Sequence, residues 1–280
     1  MSSQMKLGYG TYAMQKLDVY EALPRLRALG YESVEIMGEE GWATAPDLMD
    51  REDRKRLAGT IRDLGFDLSA VMALLPLAEE GAGRPAMLER FRAICGLARD
   101  LWLDDGPAVF SSPPAGSSPP WDGGRERIAA SLLELADIAR DHGVILAAEP
   151  HVGGALDAPE KAVWLMERTD HPALRINFDI SHFHVQGMDL RHSVDLCLPH
   201  AVHIHVKDGY LDADGNVVFQ LPGEGSLDLG EYFRLVVGHR TDIAVTAEVS
   251  AMIWKRPDYD PWDAAQRCYA ALAAARDSVA

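Results

Sequence analysis

The chain is short of positive charge. Against 43 Asp plus Glu it carries 27 Lys plus Arg, a formal net charge of −16, and a surface of that sign repels nucleic-acid phosphates rather than gathering them. The expected partner is a small molecule or a cation, with no nucleic acid. Cysteine is also scarce. Cys95, Cys197 and Cys268 lie far apart in segments with a helical pattern, which suggests neither a disulfide framework nor a thiolate metal site but three small buried hydrophobes. No apolar run approaches the roughly 18 residues that cross a bilayer, and the start, MSSQMKLGYG, lacks the basic-then-hydrophobic order of a leader. A soluble, cytoplasmic protein with no membrane partner is the expectation. A glycine-rich phosphate turn behind an early strand, the mark of an open dinucleotide-binding sheet, is missing too.

What is present is a rhythm. Short apolar runs alternate with amphipathic stretches from end to end, as in a parallel sheet joined by helical crossovers. The runs fall at 7–12, 33–37, 67–73, 108–111, 144–148, 174–178, 202–206 and 243–247. The helical stretches are capped at Asp18 and stopped at Gly30, then run from about Asp50 to Leu64, Pro85 to Asp100, Asp122 to His142, Pro159 to Thr169, Leu190 to Cys197, Asp228 onward, and Pro261 to Arg276. Eight units in 280 residues average about 35 residues each, close to what an α/β (β/α)8 TIM barrel of roughly 250 residues requires. The reading is one barrel domain over 1–280. Two segments interrupt it: a Pro- and Ser-rich rim loop at 111–124, and an insertion at 209–225 whose Asp-Gly pairs suggest a hairpin. Asp228 with Glu231 resembles a capping box.

In such barrels the reacting groups sit where strands run out into the following loops, at one shared face. Four successive units each place a metal-ligand type there: Glu149, Asp179, His205 and Glu248. Burying carboxylates is costly unless their charge is compensated, and the alternative to a metal, an internal ion-pair network, needs basic partners, of which Lys207 is the one close in sequence. Three carboxylates and one imidazole suit Mn2+ or Mg2+, with Co2+, Fe2+ or Zn2+ also compatible, and ligand softness leans toward manganese.

The strings AAEPH (147–151), NFDISH (177–182), HIHVKD (203–208), LPGEG (221–225) and TAEVS (246–250) resemble those of the xylose isomerase-like superfamily of sugar isomerases and epimerases, over nearly the whole chain. The resemblance implies metal ligation by Glu149, Asp179, His205 and Glu248, and makes His182 a substrate-binding residue. It implies a divalent-metal-dependent isomerase or epimerase of a ketose, inosose or similar hydroxy-carbonyl compound, working through an enediolate. Glu149 and Glu248 would then remove and return the proton, and Lys207 would stabilise the oxyanion or else pair structurally with Asp208 or Glu224. In the ketose 3-epimerases of the superfamily a second glutamate and an arginine stand where this chain has Ala155 and Leu211. A lyase of the same fold, either a dehydratase or a C-glycoside-cleaving subunit, therefore stays open, as does a non-catalytic sugar-binding barrel. A homo-oligomer, or a complex with a second subunit in the C-glycoside case, is compatible with either. Endonuclease IV-type repair enzymes need further histidines where this chain has Ala73-Leu74 and Ser111-Ser112.

Other candidates are weaker. His151 contacts substrate or supports the Glu149 turn, and His203 is a packed neighbour of His205 on the same strand face. His184 and Glu35 are pocket candidates; Tyr9, Trp42, Met72, Trp121 and Trp254 either wall the pocket or simply pack. Ser111 and Ser112 offer hydroxyls but no metal ligand.

Overall fold

The computed structural model describes residues 5–114 and 119–279; residues 115–118 of the rim loop lie outside that description. Eight parallel strands close into a barrel: β1 (Leu7–Gly10), β2 (Ser33–Met37), β3 (Asp67–Met72), β4 (Ala108–Ser112), β5 (Val144–Ala148), β6 (Leu174–Asp179), β7 (Ala201–Val206) and, after a hairpin of β8 (Asp208–Leu211) and β9 (Val217–Gln220), β10 (Val245–Ala247), which pairs with β7 on one side and β1 on the other.

The outer ring is built of amphipathic helices whose ends follow local chemistry. In α1 (Val19–Leu29) the Asp18 carboxylate accepts from the amides of Tyr20 and Glu21, and Gly30 ends the helix at φ 114, a left-handed conformation that a side chain resists. Asp50 and Asp53 form a reciprocal capping box on α2 (Arg51–Asp63). The ring continues through α3 (Arg84–Leu101), α4 (Trp121–Asp141) and α5 (Pro159–Thr169). It closes, after the short α6 (Ile180–His184), with α7 (Leu190–Cys197), α8 (Leu229–His239) and, beyond the short α9 (Ala251–Trp254), α10 (Pro261–Asp277). Asp228 caps α8 by accepting from Glu231 N. The main core lies between barrel and helices, where the outward residues of the strands, such as Val34, Ile36, Phe178 and Ile204, are fully buried.

The departures from the sequence reading are local. β1 ends at Gly10 instead of Tyr12, because Thr11–Met14 turn into a 3-10 helix that carries the Tyr12 ring onto Trp42. The last barrel strand begins at Val245, two residues later than the apolar run. In α4 the backbone of Asp122 and Gly123 is non-helical, so regular helix starts behind them. The short α6 and α9 give too little sequence for a 3.6-residue period to show.

Inside the barrel the pattern inverts. Residues two apart on a strand face the same way, and the inward positions near the strand ends are polar and buried: Glu35, Ser111, Asn177, Asp179, His203, His205 and Thr246. Most of their polar atoms are paired, as buried groups generally are, while Thr246 Oγ1 and His203 Nδ1 have no hydrogen-bond partner.

Candidate functional site

The register of the last strands sets the site. Asp179 stands opposite His205, and His205 opposite Thr246 on β10; Glu149 and Glu248 follow β5 and β10 directly. One ligand-type atom from each of Glu149, Asp179, His205 and Glu248 lies within 4.8 Å of the others, and all four residues are buried. The structure thus brings together the four residues singled out from the strand ends.

Each is held by its neighbours. Asp179 divides its carboxylate: Oδ1 accepts from Ser181 N at 2.9 Å and Ser181 Oγ at 2.5 Å, starting α6, while Oδ2 accepts from Lys207 Nζ. His205 points Nδ1 to within 3.1 Å of both Glu149 Oε1 and Glu248 Oε2, and its Nε2 lies 3.0 Å from Glu35 Oε2. The other oxygen of Glu35 is 3.0 Å from His203 Nε2. Glu35 therefore orients His205 from behind, the outer-shell arrangement that fixes the tautomer and ring plane of a metal-binding imidazole. Gly10 leaves the room for it, since a Cβ there would stand 3.0 Å from Glu35 Oε2. Asn177, not singled out from the sequence, reaches Ser111 Oγ at 2.9 Å, His205 Nδ1 at 3.0 Å and Glu149 Oε1 at 3.3 Å. It sits two residues before Asp179 in NFDISH, and that even spacing on a strand was the available signal.

Lys207 pairs differently from expectation. Its amine donates to Asp179 and, at 2.5 Å, to Glu248 Oε2, while Asp208 instead accepts from the amides of Gly209, Gly223 and Leu227, and Glu224 pairs with Arg267. Both structural partners suggested by proximity in sequence are already taken, and the amine sits where the carboxylates converge.

The charges follow. Burial alone would raise Glu248, yet Lys207 and His205 bring it down to about 2; Asp179 is likewise held below the usual carboxylate range, by Lys207 first. Glu149 lacks a direct bond to the amine, and there burial prevails and its carboxyl is raised. Two neighbouring carboxyls with proton affinities pushed apart are what acid and base roles require. Glu35 is lowered to about 2 by His205 and His203 against its burial, and His205 is raised, its burial overcome by Glu35, Glu149 and Glu248.

His182 is fully buried, and neither ring nitrogen has a hydrogen-bond partner. Burial first and Lys207 second hold it well below the ordinary histidine value, so it is a neutral imidazole. Its ring lies tilted against that of His151, centroids 3.8 Å apart, and His151 Nδ1 donates to Val152 O, 2.8 Å away. A cavity of about 430 Å³ opens over Glu149, His151, Lys207 and Glu248, walled in part by Tyr12 and Met72. Among the remaining candidates, Trp42 and Trp254 pack on Tyr12, Trp121 packs on Trp164 and Tyr9 on Tyr31 in the core. His184 bonds Ser226, and the Ser112 hydroxyl accepts from Leu75 N.

The donor set fits a divalent cation. Three carboxylates and one imidazole nitrogen converge, with the nitrogen's ring clamped from behind, and such oxygen-rich sets suit Mn2+, Mg2+ or Zn2+.

A family model described as xylose isomerase-like TIM barrel matches residues 23–272. The inosose dehydratase of Salmonella typhimurium strain LT2 is 25% identical over 173 residues, covering 57% of this chain and 55% of that protein; the chain spans about half the length of the curated relatives it matches. Among solved structures, 3-keto-D-glucoside 4-epimerase from E. coli superposes with a TM-score of 0.73 at 19% identity, over 98% of this chain and 100% of that one. The IOLI protein with a bound zinc atom gives 0.77 at 18% identity, over 98% of each. At those identities the structural likeness is one of fold. The closed barrel and a family match over most of its length lead to one statement of kinship: the chain belongs to the xylose isomerase-like TIM barrel family.

Proposed function

We propose that the chain is a divalent-metal-dependent isomerase or epimerase of a sugar-like hydroxy-carbonyl compound, moving a proton through an enediolate. The observation that carries this reading is the convergence of Glu149, Asp179, His205 and Glu248, two of which, Glu149 and Glu248, line one cavity. A bound cation would polarise the substrate carbonyl and acidify the adjacent C–H, held by those four residues; manganese best suits so many oxygens. Glu248, held ionised beside Lys207, takes the proton from carbon, and Glu149, whose raised proton affinity favours its protonated form and which faces the same cavity, returns one. The Lys207 ammonium stabilises the developing oxyanion. His182 has two ring nitrogens without hydrogen-bond partners, Nε2 standing 3.7 Å from Asp179 Oδ2, and would bind a substrate hydroxyl through one of them, while His151, lying against it, lines the cavity.

Dehydration is the second reading, favoured by the inosose dehydratases among the relatives. The same proton removal followed by loss of a β-hydroxyl converts one outcome into the other. Incubating the protein with Mn2+ and a panel of inososes, ketoses and 3-keto-glucosides in deuterated water decides both questions. Deuterium at carbon with the substrate mass otherwise kept supports isomerisation or epimerisation, and loss of water supports dehydration. No exchange with any member refutes the proton-transfer reading.

A further inference from the structure

The cavity is chemically two-faced. Its polar lining is Glu149, Lys207 and Glu248 with Tyr12, His151 and Ser250, but much of the rest is apolar: Met72, Leu74, Pro113, Val152, Phe219 and Met252. Among the described lining residues Lys207 is the sole lysine or arginine, and its amine is already engaged by Asp179 and Glu248. A phosphate borne away from the reacting carbons would face the apolar part of the lining with no further lysine or arginine among the described lining residues, so a charged sugar is disfavoured. The volume, about 430 Å³, lies in the range of pockets for drug-sized ligands, and a monosaccharide ring packed at interior density would fill roughly half of it. The remainder borders the apolar wall, where a hydroxyl would shed its water without gaining a partner.

The apolar surface also continues outward. Five large apolar side chains among the described residues are well exposed, and three of them, Tyr210, Leu211 and Met252, stand on the β8–β9 hairpin and on α9, which pack against each other at this mouth. Phe219 of the same hairpin edges onto His182 at 5.3 Å and lies 5.6 Å from Lys207 Nζ, so the wall begins right beside the polar floor. Leu211 pairs with Val217 two residues along from Phe219, on one face of the hairpin.

Resting on the reading of the floor as a site for sugar-like hydroxy-carbonyl compounds, we propose that the substrate is an uncharged keto-glycoside, with its ketone on the sugar ring and an aryl aglycone. Its sugar ring sits over Glu149, Lys207 and Glu248, and its aromatic group lies against Phe219, Val152 and Met252, emerging along the hairpin. An aromatic ring gains most from such a surface, through buried area and edge or offset stacking on Phe219.

The test separates binding from chemistry. Titration calorimetry of the full chain with 4-nitrophenyl β-D-glucopyranoside and with methyl β-D-glucopyranoside, neither of which carries a carbonyl, should give at least about tenfold tighter binding of the aryl compound. Met252→Glu, at a half-exposed position where folding is safe, should shrink that ratio to under about threefold. Equal affinities, or a ratio unchanged by Met252→Glu, overturn the proposal. A concentration-dependent dimer that blocks aryl binding assigns the rim to a second copy of the chain and also overturns it. Deuterium exchange into an inosose without any aryl preference sinks this inference and leaves proton transfer standing. Aryl preference with no exchange into any hydroxy-carbonyl compound does the reverse.

Discussion

Replacing Glu35 by Gln probes the centre from behind without touching a ligand. The carboxylate is buried, 1% exposed, and its two oxygens each meet an imidazole Nε2 at 3.0 Å. Glutamine keeps the shape but offers one acceptor and one donor. If its NH2 faces His205, that ring must accept at Nε2 and carry its proton on Nδ1, the atom turned toward Glu149 and Glu248, and it no longer presents a lone pair to a cation. If the NH2 faces His203 instead, the displaced proton goes to His203 Nδ1, which is buried without a partner, and His205 still loses the negative charge that makes it a strong donor. Outer-shell partners of this kind are worth about 10- to 100-fold in metal affinity, or about 1.4 to 2.8 kcal/mol. Calorimetric titration of chelator-treated protein with Mn2+ and Zn2+ reads the loss directly, with circular dichroism to certify the fold. A well-folded Glu35→Gln protein that binds both metals as the wild type does would show that the clamp on His205 has no bearing on the centre.

Glu149→Gln and Glu248→Gln should each abolish deuterium exchange into substrate while leaving the thermal melt of the fold recognisable; wild-type rates in both, with metal supplied, would remove their acid and base roles. Lys207→Met leaves Asp179 and Glu248 buried without their cation, so the metal-free protein should lose about 3–5 kcal/mol in urea unfolding, and added Mn2+ should recover part of it; unfolding midpoints that match the wild type would refute this. The pH dependence of Glu35 follows from its value of about 2. A depressed carboxyl stabilises the fold above its ordinary value of 4.5 and loses that advantage as pH falls through about 2, so the stability gap between wild type and Glu35→Gln should narrow as pH falls across that window, and narrow again above the ordinary histidine value of 6.5 as His205, raised by Glu35, loses its proton. Burial pushes the thiols of Cys95 and Cys197 up to about 12 and that of Cys268 higher still. All three should resist a thiol reagent near pH 8 in the native protein and react only on unfolding; fast labelling of any of them would contradict their burial.

Much of this molecule is written locally. Strands β2 and β5 and helices α5 and α7 coincide with their sequence patterns residue for residue, because apolar period, proline at a first turn and an aspartate cap act within a few residues of one another. The four ligand-type side chains were legible for the same reason: each closes a strand, and the strand ends of a parallel barrel share a face. What the linear order does not contain is who faces whom across the closed interior. Glu35 meets His205 from 170 positions away, and Lys207 chooses Asp179 and Glu248 over its sequence neighbours. Asn177 ties β4, β5 and β7 together, and the apolar wall is assembled from loops after several strands and from the hairpin. Those pairings arise when closure and register bring inward side chains within hydrogen-bond reach, where desolvation makes each unmet charge find a partner.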